Sequence, residues 1–179
     1  WWRANVNSVF SYVPLRCTSC GHEPEKVTFG NFAFGGKHSA GCKCIHKTEG
    51  KLVRFVRAMF PSMDVKTEVK LTSLHRYDIG LMAVNVLIEL DGLQHFQPIA
   101  KWGGQLRLDQ QLLADLEKER QAVQHGFVLI RLTQADVRRD RVDWRLYLEE
   151  EIQNAVWNPK PRVVVPPHAR EYKEGEYAR

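Results

Sequence analysis

The stretch Tyr77–Phe96, YDIGLMAVNVLIELDGLQHF, constrains this chain more than any other. Tyr77, Ile79 and Leu81 alternate with Asp78 and Gly80. Val84, Val86, Ile88 and Leu90 then alternate with Asn85, Leu87, Glu89 and Asp91. A period of two predicts β-strands with one apolar face. Two such strands joined by a short turn form a hairpin that brings Asp78 beside Glu89 and Asp91. Carboxylates gathered on one face repel and raise one another's pKa. A divalent cation removes the conflict, because hard cations take oxygen ligands. The stretch leaves through Gly92, Gln94 and His95, a tight exit carrying an amide and an imidazole.

The flanking sequence predicts an α/β core. Thr48 caps a helix that Glu49 opens, and Leu52, Val53, Val56, Met59 and Phe60 recur at helical spacing until Pro61. An acid at Glu49 suits the helix dipole, which alone accounts for it. Val65, Thr67, Val69 and Leu71 alternate as a first strand. After a loop with Pro98 and Gly103-Gly104, a long helix is expected over about 105–125. It carries Leu108, Leu112, Leu116 and Val123 on one face and stops at Gly126. Asp115 and Lys118 share a side of it, and a solvated surface pair is the simpler account of those two taken alone. The apolar run Phe127–Leu132 suits a buried strand. A polar link over 133–141 and a last helix over about 142–156 follow, with Trp144, Leu148 and Ile152 turned inward. Helix, strand, strand, strand, helix, strand is the order of a mixed central sheet flanked by helices.

The expected boundaries are a small module over 1–48, the core over 49–157 and a Pro- and charge-rich tail over 158–179. The tail reads as an extended or disordered arm, or as a strap for a protein partner. At 179 residues the chain affords one good core and a small appended module. The net charge of +5 suits a polyanionic partner. No apolar run approaches the roughly 18 residues of a membrane span, so no membrane role is expected. The opening WWRANVNS has no signal-peptide pattern, which points to an intracellular protein, and no initiating Met, as in a fragment or processed chain.

Four cysteines lie in two close pairs, Cys17-Thr-Ser-Cys20-Gly21 and Gly41-Cys42-Lys43-Cys44. That spacing favours a closed, structural Zn²⁺ site over four free cysteines, although the second pair is CxC where CxxC is usual, with His22, His38 and His46 as substitute ligands. The loop between the pairs is Gly-rich and polar, and a module so poor in apolar residues needs a metal to stay folded.

The succession of a glutamate at a helix start, Asp78 on a strand, IELDGLQHF, Trp102-Gly-Gly, Asp115-x-x-Lys118 and LIRL resembles the PD-(D/E)xK nuclease superfamily. More narrowly it is similar to the very-short-patch-repair-like endonuclease branch, whose members include proteins with a Cys-rich zinc module ahead of the core. The resemblance covers roughly residues 17–132, and IELDGLQHF is its most specific part. It implies a restriction-endonuclease-like core and metal-dependent hydrolysis of DNA phosphodiesters, with Mg²⁺ or Mn²⁺ as catalytic ion. It assigns metal binding to Asp78, Glu89 and Asp91, the last standing where the superfamily usually has lysine. Lys118 would supply the missing positive charge and His95 a proton acceptor. Glu49, Gln94 and Asp115 complete the expected set. Lys37, Lys43, Lys47, Arg54 and Arg57 would contact phosphates, and Trp102 would stack on bases.

Two other classes fit the same residues. One is a nucleic-acid-binding protein on a nuclease fold that has lost cleavage, for which the Asp91 replacement speaks. The other is a scaffold subunit docked through its tail.

Overall fold

Strand β3, Val86–Asp91, lies at the centre of a five-stranded sheet and sends alternate side chains into opposite layers. Val86, Ile88 and Leu90 enter one core, and Leu87 enters the other, on the side shared by Glu89 and Asp91. Strands β1, Val65–Val69, and β2, Tyr77–Leu81, precede β3 as an antiparallel meander. Strands β4, Val128–Thr133, and β5, Arg162–Val164, continue the sheet in parallel, in the order β1-β2-β3-β4-β5. Parallel neighbours need a crossover. Helix α2, Gly104–Gln124, supplies it between β3 and β4, and α4, Trp144–Trp157, between β4 and β5.

This is a computed structural model in which residues 7–13, 27–30, 47–73, 75–140, 142–167 and 172 are described. Two compact units divide the chain at Gly50 and Lys51. In the first, Val13 N–H donates to the Val27 carbonyl and Phe29 N–H to that of Ser11, around an antiparallel bridge between Tyr12 and Thr28. Cys17, Cys20, Cys42 and Cys44, and with them Lys37 and Lys43, lie outside the described residues.

In the second unit, one face of the sheet is covered by Leu52 and Val56 of α1, Lys47–Met59, and by Trp144, Leu148 and Ile152 of α4. Each such buried aliphatic side chain contributes about 1.5–3 kcal/mol. The other face packs Tyr77, Leu87 and Leu129 against Ala122 of α2. Glu68 breaks the alternation of β1 by taking a left-handed conformation (φ 52°), and Val65 and Val69 consequently enter different cores. Gly80 faces Val69 so closely that a Cβ would lie 2.7 Å from Val69 Cγ2.

Three departures from the sequence expectation have local causes. The link after β4 is a short helix, α3, Gln134–Arg139, because Thr133 caps it by accepting from Asp136 N–H at 3.1 Å. The tail is not unpackable: Arg162, Val163 and Val164 add β5 to the sheet, and Tyr172 is buried. On α2, Leu108 and Leu112 face inward, but Leu116 and Val123 are 43% and 36% exposed. Asp115 and Glu119 hold the centre of the inner face instead. No helix among the described residues is long and apolar enough to cross a membrane.

Candidate active site

Asp78 and Glu89 come from adjacent antiparallel strands. The β2–β3 register pairs Ile79 with Ile88, and one further step sets Asp78 across from Glu89. Asp78 Oδ2 accepts the Leu90 N–H at 2.8 Å, tying the carboxylate to the backbone of β3. Lys118 reaches in from α2 and donates to Glu89 Oε2 at 2.7 Å. Its stem is fixed from below, since Tyr77 Oη donates to the Lys118 carbonyl at 2.8 Å and the ammonium lies 5.4 Å from the Tyr77 ring centroid.

Two carboxylates and one ammonium leave this group one negative charge in excess. Burial, and then repulsion from Asp78, push Glu89 up to about 8 despite the Lys118 bond. Burial also raises Asp78, against the Leu90 N–H that favours its charged form. Glu89 Oε1 is buried with no hydrogen-bond partner among the described residues. An orphaned buried carboxylate oxygen beside a second carboxylate is a donor set fit for a hard divalent cation that keeps several waters. The fit is with two protein ligands, since no group of three or more His, Cys, Asp or Glu among the described residues is arranged to hold a metal ion.

Asp91, expected to join these acids, belongs to a neighbouring cluster. Arg131 of β4 binds it with two 2.7 Å hydrogen bonds, Nε to Oδ2 and one terminal amino group to Oδ1. Its other amino group donates to Glu119 Oε1 at 2.9 Å, and Tyr172 Oη donates to Asp91 Oδ2 at 2.6 Å. Asp115 lies 3.4 Å from the same guanidinium and joins His95 Nδ1 at 2.6 Å. Gln111 donates to the other oxygen of Asp115, Oδ1, at 3.0 Å, so His95 is held by a carboxylate that is itself held by Gln111 and Arg131. With Nδ1 engaged, Nε2 is the imidazole nitrogen left to exchange a proton.

The structure thus assembles six of the expected residues into two adjoining groups. Asp78, Glu89 and Lys118 form one; Asp91, His95 and Asp115 form the other. Gln94 sits in the 3₁₀ turn Leu93–His95 and folds back over Gly92. Glu49 lies in the first turn of α1 in the other compact unit. Lys47 opens α1, Arg54 and Arg57 are exposed along it, and Trp102 is 55% exposed. A cavity of about 330 Å³ opens at the ends of β3 and β4, with Leu93 and Phe96 on one wall and Arg138 and Arg139 on the other.

Sequence reasoning missed Arg131, Glu119, Gln111 and Tyr172. Arg131 had a signal: a lone guanidinium inside the apolar run FVLIRL must find acids once that run is buried. Glu119, one turn after Asp115, follows from the same logic. Tyr172 had none, because its contact with Asp91 spans 81 positions. Comparison with family models, curated proteins and solved structures gives no match to this chain.

Proposed function

We propose that the chain is a metal-dependent endonuclease that hydrolyses DNA phosphodiesters, built on a restriction-endonuclease-like core. The observation that carries this is the Asp78–Glu89–Lys118 group, in which a buried, orphaned carboxylate oxygen stands beside a second carboxylate and an ammonium. Support also comes from the element order. A mixed central sheet flanked by helices is the arrangement the resemblance implies.

Asp78 and Glu89 would hold Mg²⁺ or Mn²⁺, which when bound neutralises the phosphate and lowers the pKa of water. Lys118 adds positive charge where the pentavalent phosphate gathers its negative charge. His95, oriented by Asp115, accepts a proton at Nε2. Arg54 and Arg57 contribute phosphate contacts that salt weakens, and the exposed Trp102 ring offers a stacking surface. The same proposal places structural Zn²⁺ on Cys17, Cys20, Cys42 and Cys44, which metal analysis of the purified protein checks as stoichiometric zinc.

The test is cleavage of supercoiled plasmid and of branched and mismatched duplexes in Mg²⁺ and in Mn²⁺, with EDTA and Asp78→Ala as controls. Metal-dependent cutting that Asp78→Ala abolishes is the expected result. Duplex binding without cutting in either metal would instead assign the chain to nucleic-acid binding alone.

A further inference from the structure

Helix α2 has a second, outward face that the site does not use. Leu106, Leu113, Leu116 and Val123 are 69%, 69%, 43% and 36% exposed. Leu106 and Leu113 are seven residues apart, as are Leu116 and Val123, and Leu113 and Leu116 are three apart. That is the spacing of a helix–helix seam. Gln105, Asp109, Arg120 and Gln124 fall on the same side, so all eight residues occupy a stripe roughly 100° wide. Lys118 projects from the opposite side. Between α2 and β5 the stripe deepens into a groove of about 440 Å³ that Leu116, Val123 and Val163 line.

We propose that this face is a homodimer interface, in which two copies of α2 pack antiparallel about a two-fold axis. A two-fold contact requires self-complementarity: if residue i meets residue j, then j meets i. Centred between Leu113 and Leu116, the stripe meets that condition at every position. Leu113 faces Leu116 of the second copy, and Leu106 faces Val123. Asp109 faces Arg120, an acid against a base, and Gln105 faces Gln124, an amide against an amide. A parallel pairing sets each residue against itself, opposing Asp109 to Asp109 and Arg120 to Arg120. The charges therefore select the antiparallel arrangement. Among the described residues Asp109 accepts from Gln105, one turn away, at 2.7 Å, and Arg120 holds Glu117 one turn away. Both are exposed side chains that reach a second copy without unmaking the core. The inference is independent of the nuclease proposal, since it uses none of the residues assigned to chemistry.

Sedimentation velocity of the full chain tests it. Wild type is expected to dimerise in the micromolar range, and Leu113→Glu to be a monomer with unchanged circular dichroism. Asp109→Arg and Arg120→Asp should each weaken the dimer about tenfold, the equivalent of ~1.4 kcal/mol. The double exchange, which re-pairs the charges with their signs reversed, should restore it. A wild type that stays monomeric into the high micromolar range overturns the proposal. A double exchange that fails to recover affinity overturns the antiparallel register, whatever the fate of Leu113→Glu. A monomer that Leu113→Glu destabilises to heat also overturns it, by assigning the stripe to a cover within one chain.

Discussion

Arg131 and Asp91 are joined by two parallel 2.7 Å hydrogen bonds, with both side chains almost wholly removed from solvent. The β3–β4 register brings them together, because it sets Arg131 beside Glu89 and Thr133 beside Asp91 in adjoining strands. One guanidinium there serves Asp91, Glu119 and Asp115.

Removing it leaves buried carboxylates unpaired. Arg131→Met is expected to cost about 3–5 kcal/mol in urea unfolding, because truncating one partner of a buried pair strands the others. Arg131→Lys should recover little, since a point ammonium cannot reproduce a planar fork serving several acids. Full stability in the Met variant would show that the cluster is not held together by this residue.

Tyr172 ties the C-terminal stretch to the same cluster. Its hydroxyl donates to Asp91 at 2.6 Å and its ring stands edge-on to Phe96, with centroids 5.0 Å apart. Tyr172→Phe keeps the ring and deletes the donor, so a loss of about 1.5–3 kcal/mol is expected. Calorimetry of the two proteins at one pH measures it.

The metal-free protein should weaken as pH rises. Glu89 is raised from 4.5 to about 8 in the folded chain, so folding favours its protonated form. The stability this contributes is present below pH 4.5 and is lost as pH climbs towards 8. Asp78 shifts in the same direction. Urea titrations in EDTA should show wild type losing roughly 2–4 kcal/mol across that window and Glu89→Gln losing much less. Mg²⁺ at the upper end should restore wild type and stabilise the Gln variant much less, because that variant keeps only Asp78 of the two carboxylates proposed to hold the cation. Equal pH slopes in the two proteins would remove Glu89 as the source.

His95 should matter for turnover and little for affinity. Its Nδ1 is committed to Asp115, which leaves Nε2 for the proposed role of proton acceptor. His95→Ala is expected to slow cleavage about 10²–10⁴-fold, the usual weight of a positioned base. Duplex binding in Ca²⁺ should be retained, which gel shift and single-turnover kinetics together resolve.

Most of the strands were legible because their apolar residues alternate or run together, and Asp78 and Glu89 could be juxtaposed from hairpin geometry alone. The inner face of α2 could not. Leu108, Leu112, Leu116 and Val123 look like one apolar stripe, yet Arg131 and His95 draw Asp115 and Glu119 to its centre and turn Leu116 partly outward. Tertiary charge pairing outweighed local hydrophobic pattern. Likewise Asp91 looked like a third acid for one ion, and only the position of Arg131 across the sheet assigns it elsewhere. Strand β5 was hidden by the prolines around Arg162–Val164, because an edge strand needs only a short unbroken run.

Helix α2 presents Leu108, Leu112, Asp115, Lys118 and Glu119 towards the sheet from a single rod. Each residue advances that rod by ~100° and about 1.5 Å. One residue inserted between Leu112 and Asp115 would therefore swing Asp115, Lys118 and Glu119 away from His95, Glu89 and Arg131 together, whereas the loop over 97–99 absorbs the same insertion without turning any of them. Related sequences should accordingly diverge in this helix by substitution while keeping its length between those positions, and should carry their gaps ahead of Gly103.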